Sequence, residues 1–150
     1  MHKAKSKMIL VIVLVLLLTL ISDKAVSAKT VRKDGYYYTM AQKAVNGVYG
    51  SDLYIKKVKI KGNKITTYGN FTYGKNEWGG KKIKTQKRTF IVSGKCSYWD
   101  DWGVPDGKKR IKKKRFIKTL KSCSSFADTG ECFIIQVKNG KVRKMMLGQG

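Results

Sequence analysis

Side chains that could bind a ligand by charge are concentrated in one segment, residues 108–115, called here the basic run. Seven of its eight residues are lysine or arginine, and only Ile111 interrupts them. Because alternate side chains of a strand point to opposite faces, a segment charged on both faces cannot be a core strand. We interpret it as an exposed edge, ribbon or loop that attracts a polyanion; a lysine-protected edge strand is the alternative. The predicted anion-binding residues are Lys108, Lys109, Arg110, Lys112, Lys113, Lys114 and Arg115.

Catalytic and metal-binding chemistry has few candidate residues. The only histidine is His2, which lies in an N-terminal segment that we expect to be removed. Without histidine there is no Ser-His-Asp triad, no Cys-His pair and no imidazole metal ligand. The sequence therefore predicts a protein that is not an enzyme and uses no cofactor or metal. A hydrolase that uses Asp100, Asp101 or Glu131 is a remote alternative, because adjacent strand residues point to opposite faces.

Three cysteines remain after that removal: Cys96, Cys123 and Cys132. An odd number outside the cell implies one disulfide and a free thiol, pairing between two molecules, or three free thiols. Cys123 and Cys132 are separated by eight residues rich in turn formers, so a hairpin could bring them together in a candidate disulfide worth ~2–3 kcal/mol. Pairing of Cys96 with either partner is equally compatible with the sequence.

Aromatic and acidic residues occur together in one segment, residues 96–107. We predict a long loop whose Trp99 and Trp102 cover one end of the fold and whose aspartates face neighbouring lysines. The spacing of the aspartates does not match a calcium-binding loop. A carbohydrate site is the alternative for aromatic rings beside carboxylates.

The N-terminus has the three parts of a secretory signal. Lys3, Lys5 and Lys7 precede an apolar run, Met8 to Ile21, and residues 26–28 are Val-Ser-Ala. This pattern predicts a signal peptide over residues 1–28, cleaved after Ala28, and a single domain over residues 29–150. The apolar run would reach about 21 Å as a helix, which is short for a bilayer core of about 30 Å. We expect a secreted protein, retained at the cell envelope if its charge holds it there.

The charge of the chain is strongly positive. The formal net charge is +24, and 28 of the 33 basic residues are lysine. Lysine is a hydrated point charge, whereas arginine recognises phosphate through a planar fork. Lysine therefore favours diffuse attraction to a wall polymer, an anionic lipid surface or nucleic acid, without sequence specificity. Solubility alone is the alternative explanation.

Two hairpins are predicted with their registers. Gly62-Asn63 and Asn139-Gly140 are pairs of residues that tolerate positive φ and join apolar, alternating segments. The expected partners are Ile60 with Ile65, Val58 with Thr67, Lys56 with Gly69, Tyr54 with Phe71, Val137 with Val142, and Phe133 with Met146.

Short strands between glycine turns predict an all-β fold. The chain has 15 glycines and one proline, and it lacks a long helical period. Residues 82–93 and 116–123 are expected to be further strands, and apolar residues at helical spacing from Met40 onward favour a short helix that ends near Asn46-Gly47. We predict a small antiparallel meander barrel or sandwich of six to eight strands.

Two segments carry a family resemblance: IKGNKITTYGNFTYGKN (60–76) and FIIQVKNGKVRKMMLG (133–148). They resemble hairpins of small, uncharacterised, secreted or lipid-anchored β-rich proteins of Gram-positive bacteria. The resemblance implies a β-rich fold and brings no functional residues, and the lipid-attachment cysteine of the anchored members is missing here.

The sequence thus predicts non-enzymatic binding of an anionic partner at the cell envelope. The alternative is a β-barrel that carries a small apolar ligand, with Tyr54, Phe71, Phe90 and Phe133 lining its cavity.

Overall fold

The computed structural model describes residues 27–41, 53–77, 80–101, 107–123 and 131–149. Nearly all of the predicted signal peptide lies outside these ranges, as do most of the short helix expected to end near Asn46-Gly47 and Trp102.

Strands dominate the described residues, and one helix interrupts them. The strands are β1 (Lys29–Val31), β2 (Gly35–Met40), β3 (Ile55–Lys61), β4 (Lys64–Gly74), β5 (Lys81–Asp100), β6 (Lys109–Ile111), β7 (Glu131–Lys138) and β8 (Lys141–Gln149), and the helix is α1 (Lys113–Cys123). The predicted all-β class is confirmed.

Five of the strands close into a barrel in the order β2-β4-β5-β8-β7, with β7 paired again to β2. The order differs from the expected antiparallel meander, because β5 and β8 are parallel and β1 is parallel to β5. Parallel neighbours need a crossover connection, and here β6, α1 and β7 lie between β5 and β8 in the chain. A five-stranded barrel with this order and a helix between its third and fourth strands has the connectivity of an OB-fold.

Strand β5 belongs to both halves of the barrel. Residues 81–91 pair with β4, and residues 92–100 pair with β8. The predicted strand over residues 82–93 is therefore confirmed but too short, and the aromatic segment from Cys96 to Asp100 is strand, not loop. Trp99 packs against a second buried cluster made of Met40, Cys132, Ile134 and Met146.

The first predicted hairpin forms, with a bulge. Ile60 pairs with Ile65 and Val58 with Thr67, as expected. Beyond them the register shifts by one residue, so that Ile55, not Lys56, lies opposite Gly69. A side chain at Gly69 would overlap the main chain of Tyr54 and Ile55, so glycine permits this close approach of the strands. The predicted partners of Lys56 and Tyr54 were wrong for this reason.

The second predicted hairpin also contains a bulge. Val137 pairs with Val142 across the Asn139-Gly140 turn, as expected. The register then shifts, and Phe133 lies opposite Leu147 instead of the predicted Met146. A bulge adds one residue to one strand, and no alternation of residue types marks it in advance.

The interior of the barrel is filled by aromatic and aliphatic side chains. Phe71, Phe90 and Phe133 are fully buried. The ring centroids of Phe71 and Phe90 lie 5.9 Å apart, and the Tyr37 ring meets the Phe90 ring edge-on at 5.3 Å. Three of the four residues expected to line a ligand cavity thus pack into the core, while Tyr54 lies against the second cluster.

Residues 116–123 belong to helix α1, which spans Lys113–Cys123, so the predicted strand there was wrong. Phe116 and Leu120 are buried and four residues apart, which places them on one face of a helix. The Phe116 ring contacts the rings of Tyr98 and Phe133, with centroid distances of 5.3 and 6.2 Å. Two anchors at helical spacing therefore attach α1 to the barrel core.

Asp34 holds the turn of the second hairpin. Its carboxylate accepts hydrogen bonds from the main-chain amides of Asn139 at 2.8 Å and Gly140 at 3.0 Å, both of which have positive φ. The hydrogen bonds from Gly140 and Asn139 lower the pKa of Asp34 below its ordinary value of 3.8.

We expect this turn to weaken in acid. A carboxyl group whose pKa is lower in the folded state stabilises the fold above its unfolded pKa, and the contribution is lost as pH falls through the folded value. Asp34→Asn, an uncharged isostere, should therefore lower the midpoint of urea unfolding at pH 7. The difference from the parent protein should vanish near pH 2; an unchanged difference at both pH values would contradict this role.

Candidate anion-binding groove

The basic run is divided between two elements. Lys109 and Arg110 lie in β6, a three-residue strand at the edge of the sheet, opposite Asp100 and Trp99 of β5. The residues from 113 onward form the first turn of α1. Lys109 and Arg110 are exposed at this edge, as expected, whereas Ile111 is half-buried against the core. The structure separates this edge from the charges on the helix.

Lys108 is already engaged by a carboxylate. Its Nζ lies 2.7 Å from one oxygen of Glu77, and Nζ of Lys144 lies 2.7 Å from the other. Burial alone would raise the pKa of Glu77, but the hydrogen bonds from Lys108 and Lys144 outweigh it and lower the pKa. Lys108 therefore contributes less to a free cationic surface than its neighbours do.

Helix α1 begins with a concentration of positive charge. Lys112, Lys113, Lys114 and Arg115 are exposed, and the first turn has no acidic residue. Cations at a helix N-terminus oppose the helix dipole and so cost stability. Nζ of Lys113 donates a hydrogen bond to the Gly62 carbonyl at 3.4 Å, which places the start of α1 at the β3–β4 turn.

A groove of about 790 Å³, called here the basic groove, lies along the β3–β4 hairpin. Among the residues that the structure describes, none with a carboxylate lines it. Its lining consists of Lys56, Lys57, Val58, Lys59, Thr66, Thr67, Tyr68, Lys87 and Lys121. Because Lys113 lies at one end of the hairpin and Lys121 lines the groove, α1 links the groove to the basic run.

The centre of the groove is a row of three side chains on adjacent strands. Tyr68 of β4 lies opposite Lys57 of β3 on one side and Lys87 of β5 on the other. Directly opposite residues share a face of the sheet, so the tyrosine is flanked by two cations. Tyr68 is 41% exposed, and it is the only large hydrophobic side chain in the described ranges that is exposed to this extent.

The bulge in β3 adds a third lysine to this row. Lys56 is the extra residue between the pairs at positions 55 and 57, and its Nζ lies 5.9 Å from the Tyr68 ring centroid. A row farther along, Thr66 and Thr89 face each other, with 3.0 Å between their hydroxyl oxygens. The arrangement presents an accessible ring, hydroxyls and converging cations, which suits a chain of negative charges better than a single ion.

Sequence reasoning missed this groove. The sequence predicts the β3–β4 hairpin but does not predict that β5 pairs with β4, so it does not bring Lys87 close to Lys57 and Tyr68. One feature of the sequence could have indicated the groove: Tyr68 is an aromatic residue among the lysines and threonines of an exposed strand face. An exposed aromatic ring on a basic sheet is a common contact for nucleic-acid bases.

The other residues that the sequence singled out are two aspartates, Glu131 and the cysteines. Asp100 is buried, and Asp101 is half-buried; the side chain of Glu131 is outside the described part. Burial raises the pKa of the Cys96 thiol to about 11, so it stays protonated at neutral pH. Cys132 is fully buried, while the Cys123 side chain is not described, and their disulfide stays a prediction.

Comparisons with known proteins return no matching family model, no matching curated protein and no matching solved structure. In the described ranges, no helix is long and apolar enough to cross a membrane. No group of three or more His, Cys, Asp or Glu side chains in those ranges could hold a metal ion.

Proposed function

We propose that this chain is a secreted, non-enzymatic binding protein that holds an anionic polymer in the basic groove. One observation carries the proposal: five lysines and an exposed tyrosine line a single groove in which the described residues place no carboxylate. Release of counterions from the polymer would supply most of the binding free energy. The basic run extends the same surface from the β3–β4 turn.

Two further observations support the groove as the binding surface. It lies along β3, β4 and β5. Strands β4 and β5 are the second and third strands of the barrel, and the face formed by those two strands binds oligonucleotides or oligosaccharides in many OB-folds. This support is an analogy between folds. Three of the four aromatic side chains expected to line a carrier cavity, Phe71, Phe90 and Phe133, fill the core instead, which favours surface binding over the carrying of an apolar ligand.

The salt dependence of binding tests the proposal. Labelled oligothymidylate and labelled polyphosphate should both bind. Each lysine contact with a phosphate contributes about −0.7 to the slope of the logarithm of the association constant against the logarithm of the salt concentration, so five contacts predict a slope of about −3.5. Affinity should then fall about 100-fold between ~50 and ~200 mM salt. Binding that is absent at low salt, or insensitive to salt, would refute the proposal.

Tyr68 distinguishes which polymer the groove prefers. Stacking of a base on an aromatic ring is worth ~1–3 kcal/mol. If nucleic acid is the ligand, Tyr68→Ala should weaken oligothymidylate by about tenfold or more and leave polyphosphate unaffected, while Tyr68→Phe retains both affinities. Equal affinities of parent and Tyr68→Ala for both polymers would assign the groove to a ringless polyanion such as a wall polymer.

A further inference from the structure

A second concave site lies at the other end of the β4–β5 hairpin. A cleft of about 690 Å³, called here the anion cleft, is bounded by β1 and the residues after it, by Tyr73 of β4, and by β5. This volume is in the range of small-molecule sites. Arg88 lines the cleft and Lys87 lines the basic groove, and adjacent strand residues point to opposite faces, so the two sites are separate.

The floor of the anion cleft is aromatic and apolar. Tyr37 is 4% exposed, and its ring lies 5.0 Å from the Tyr73 ring between centroids. The Tyr37 hydroxyl donates to the Lys33 carbonyl, and the Tyr73 hydroxyl donates to the Asp34 carbonyl, so both rings are fixed. Val31 and Ile83 add aliphatic surface beside them.

The rim and wall of the anion cleft are cationic. The cations that line it are Lys29, Arg32, Lys33, Lys82, Lys84 and Arg88, and none of the described lining residues carries a carboxylate. So many like charges around one concavity raise the local concentration of anions. The rim alone would attract any anion and would not select its shape.

Arg88 differs from the rim because it is buried, with 2% of its surface exposed. Its guanidinium donates to the main-chain carbonyls of Gly69 at 2.9 Å, Lys84 at 2.6 Å and Gln86 at 3.4 Å, and its Cζ lies over the Phe71 ring, 5.5 Å from the ring centroid. These carbonyls border the bulge in the β4–β5 pairing, so Arg88 also has a structural role. Carbonyl dipoles do not neutralise a full charge, and a buried cation gains from a nearby anion.

We propose that the anion cleft binds a small organic anion in which a sulfonate, phosphate or carboxylate is attached to an aromatic or apolar body. The cationic rim and Arg88 account for the charged group, and the tyrosine floor with Val31 and Ile83 accounts for the body. An inorganic ion would not bury the apolar floor of the cleft, and a neutral hydrocarbon would form no ionic contact with the cations of the rim. The site does not depend on the polymer-binding function of the groove.

Two matched dyes test the chemistry of the ligand. Anilinonaphthalene sulfonate joins a sulfonate to an aromatic body, and N-phenyl-1-naphthylamine is its uncharged analogue. The sulfonate should bind the folded protein with a stoichiometry of one and about tenfold more tightly than the amine, which corresponds to about 1.4 kcal/mol. Equal affinity of the two dyes would overturn the proposal, because the cations would then contribute nothing.

Paired charge reversals test where the dye binds. Lys82→Glu with Lys84→Glu should raise the Kd of the sulfonate dye about tenfold, whereas Lys57→Glu with Lys87→Glu, which changes net charge equally, should leave it unchanged. Shifts of backbone amide signals on dye addition should concentrate in residues 29–33 and 82–88. Equal effects of the two pairs, or shifts at the groove, would refute the anion cleft without affecting the groove, because oligothymidylate binding is measured separately.

Discussion

Replacing Lys57 and Lys87 together by glutamate is expected to weaken the binding of polyanions more than any other paired substitution proposed here. These two lysines flank Tyr68 in the central row of the basic groove. Each lost contact with a single-stranded polyanion lowers the logarithm of the association constant by about 0.7 at 0.1 M salt. Removal of two charges alone therefore predicts about a 25-fold weaker affinity. Reversal adds repulsion, so the measured loss should exceed that value.

The salt slope gives a second measurement of the same substitution. Loss of two contacts should reduce the slope of log K against log salt by about 1.4 for oligothymidylate. Both residues are exposed strand positions, so the variant should retain the parent's unfolding midpoint within experimental error.

Two control pairs decide which surface matters. Lys82→Glu with Lys84→Glu changes the net charge by the same amount but lies at the anion cleft. Lys109→Glu with Arg110→Glu lies at the β6 edge of the basic run. The groove pair should cause the largest loss; equal losses from all three pairs would indicate attraction by net charge alone and contradict a defined groove.

The largest effect on stability is expected from Phe116→Ala. Phe116 is fully buried between Tyr98 and Phe133, and it is one of two anchors that hold α1 against the barrel. Truncation of a buried phenylalanine to alanine costs about 3–5 kcal/mol, a large fraction of the total stability of a domain of this size. The helix has little support of its own, because its first turn is cationic and lacks an acidic residue.

Urea unfolding followed by far-UV circular dichroism would measure this effect. Phe116→Leu keeps most of the apolar contact and should lose less, and Lys118→Ala on the exposed face of α1 should change stability little. A Phe116→Ala protein within about 1 kcal/mol of the parent would show that α1 is not anchored by this ring.

The local pairings could be predicted from sequence up to the first irregularity. Ile60 with Ile65 and Val137 with Val142 follow from turn chemistry and alternation. The registers beyond them could not be predicted, because the bulges at Lys56 and Arg143 depend on how the strands twist to close the barrel. Helix α1 was missed because Phe116 and Leu120 are four residues apart, a spacing that also fits one face of a strand.

The candidate sites, like the strands, could be predicted only in part from the sequence. The high lysine content and the position of the basic run could be read directly, and both indicated a charged surface. The sequence did not reveal which charges converge. Lys57 and Lys87 are thirty positions apart in the chain and meet through Tyr68 only because β3, β4 and β5 are neighbours in the sheet.

By itself the amino-acid sequence determined the β-rich class, two hairpin turns and a strongly positive charge, because alternation, turn residues and ionisable groups act over a few neighbouring positions. Only the tertiary structure decided the parallel closure of β5 with β8, the helix on the barrel core and the separation of cations into a groove and a cleft. These features depend on contacts between segments that are distant in the sequence. Several strand orders would bury the same apolar surface, so the sequence pattern alone does not select one of them.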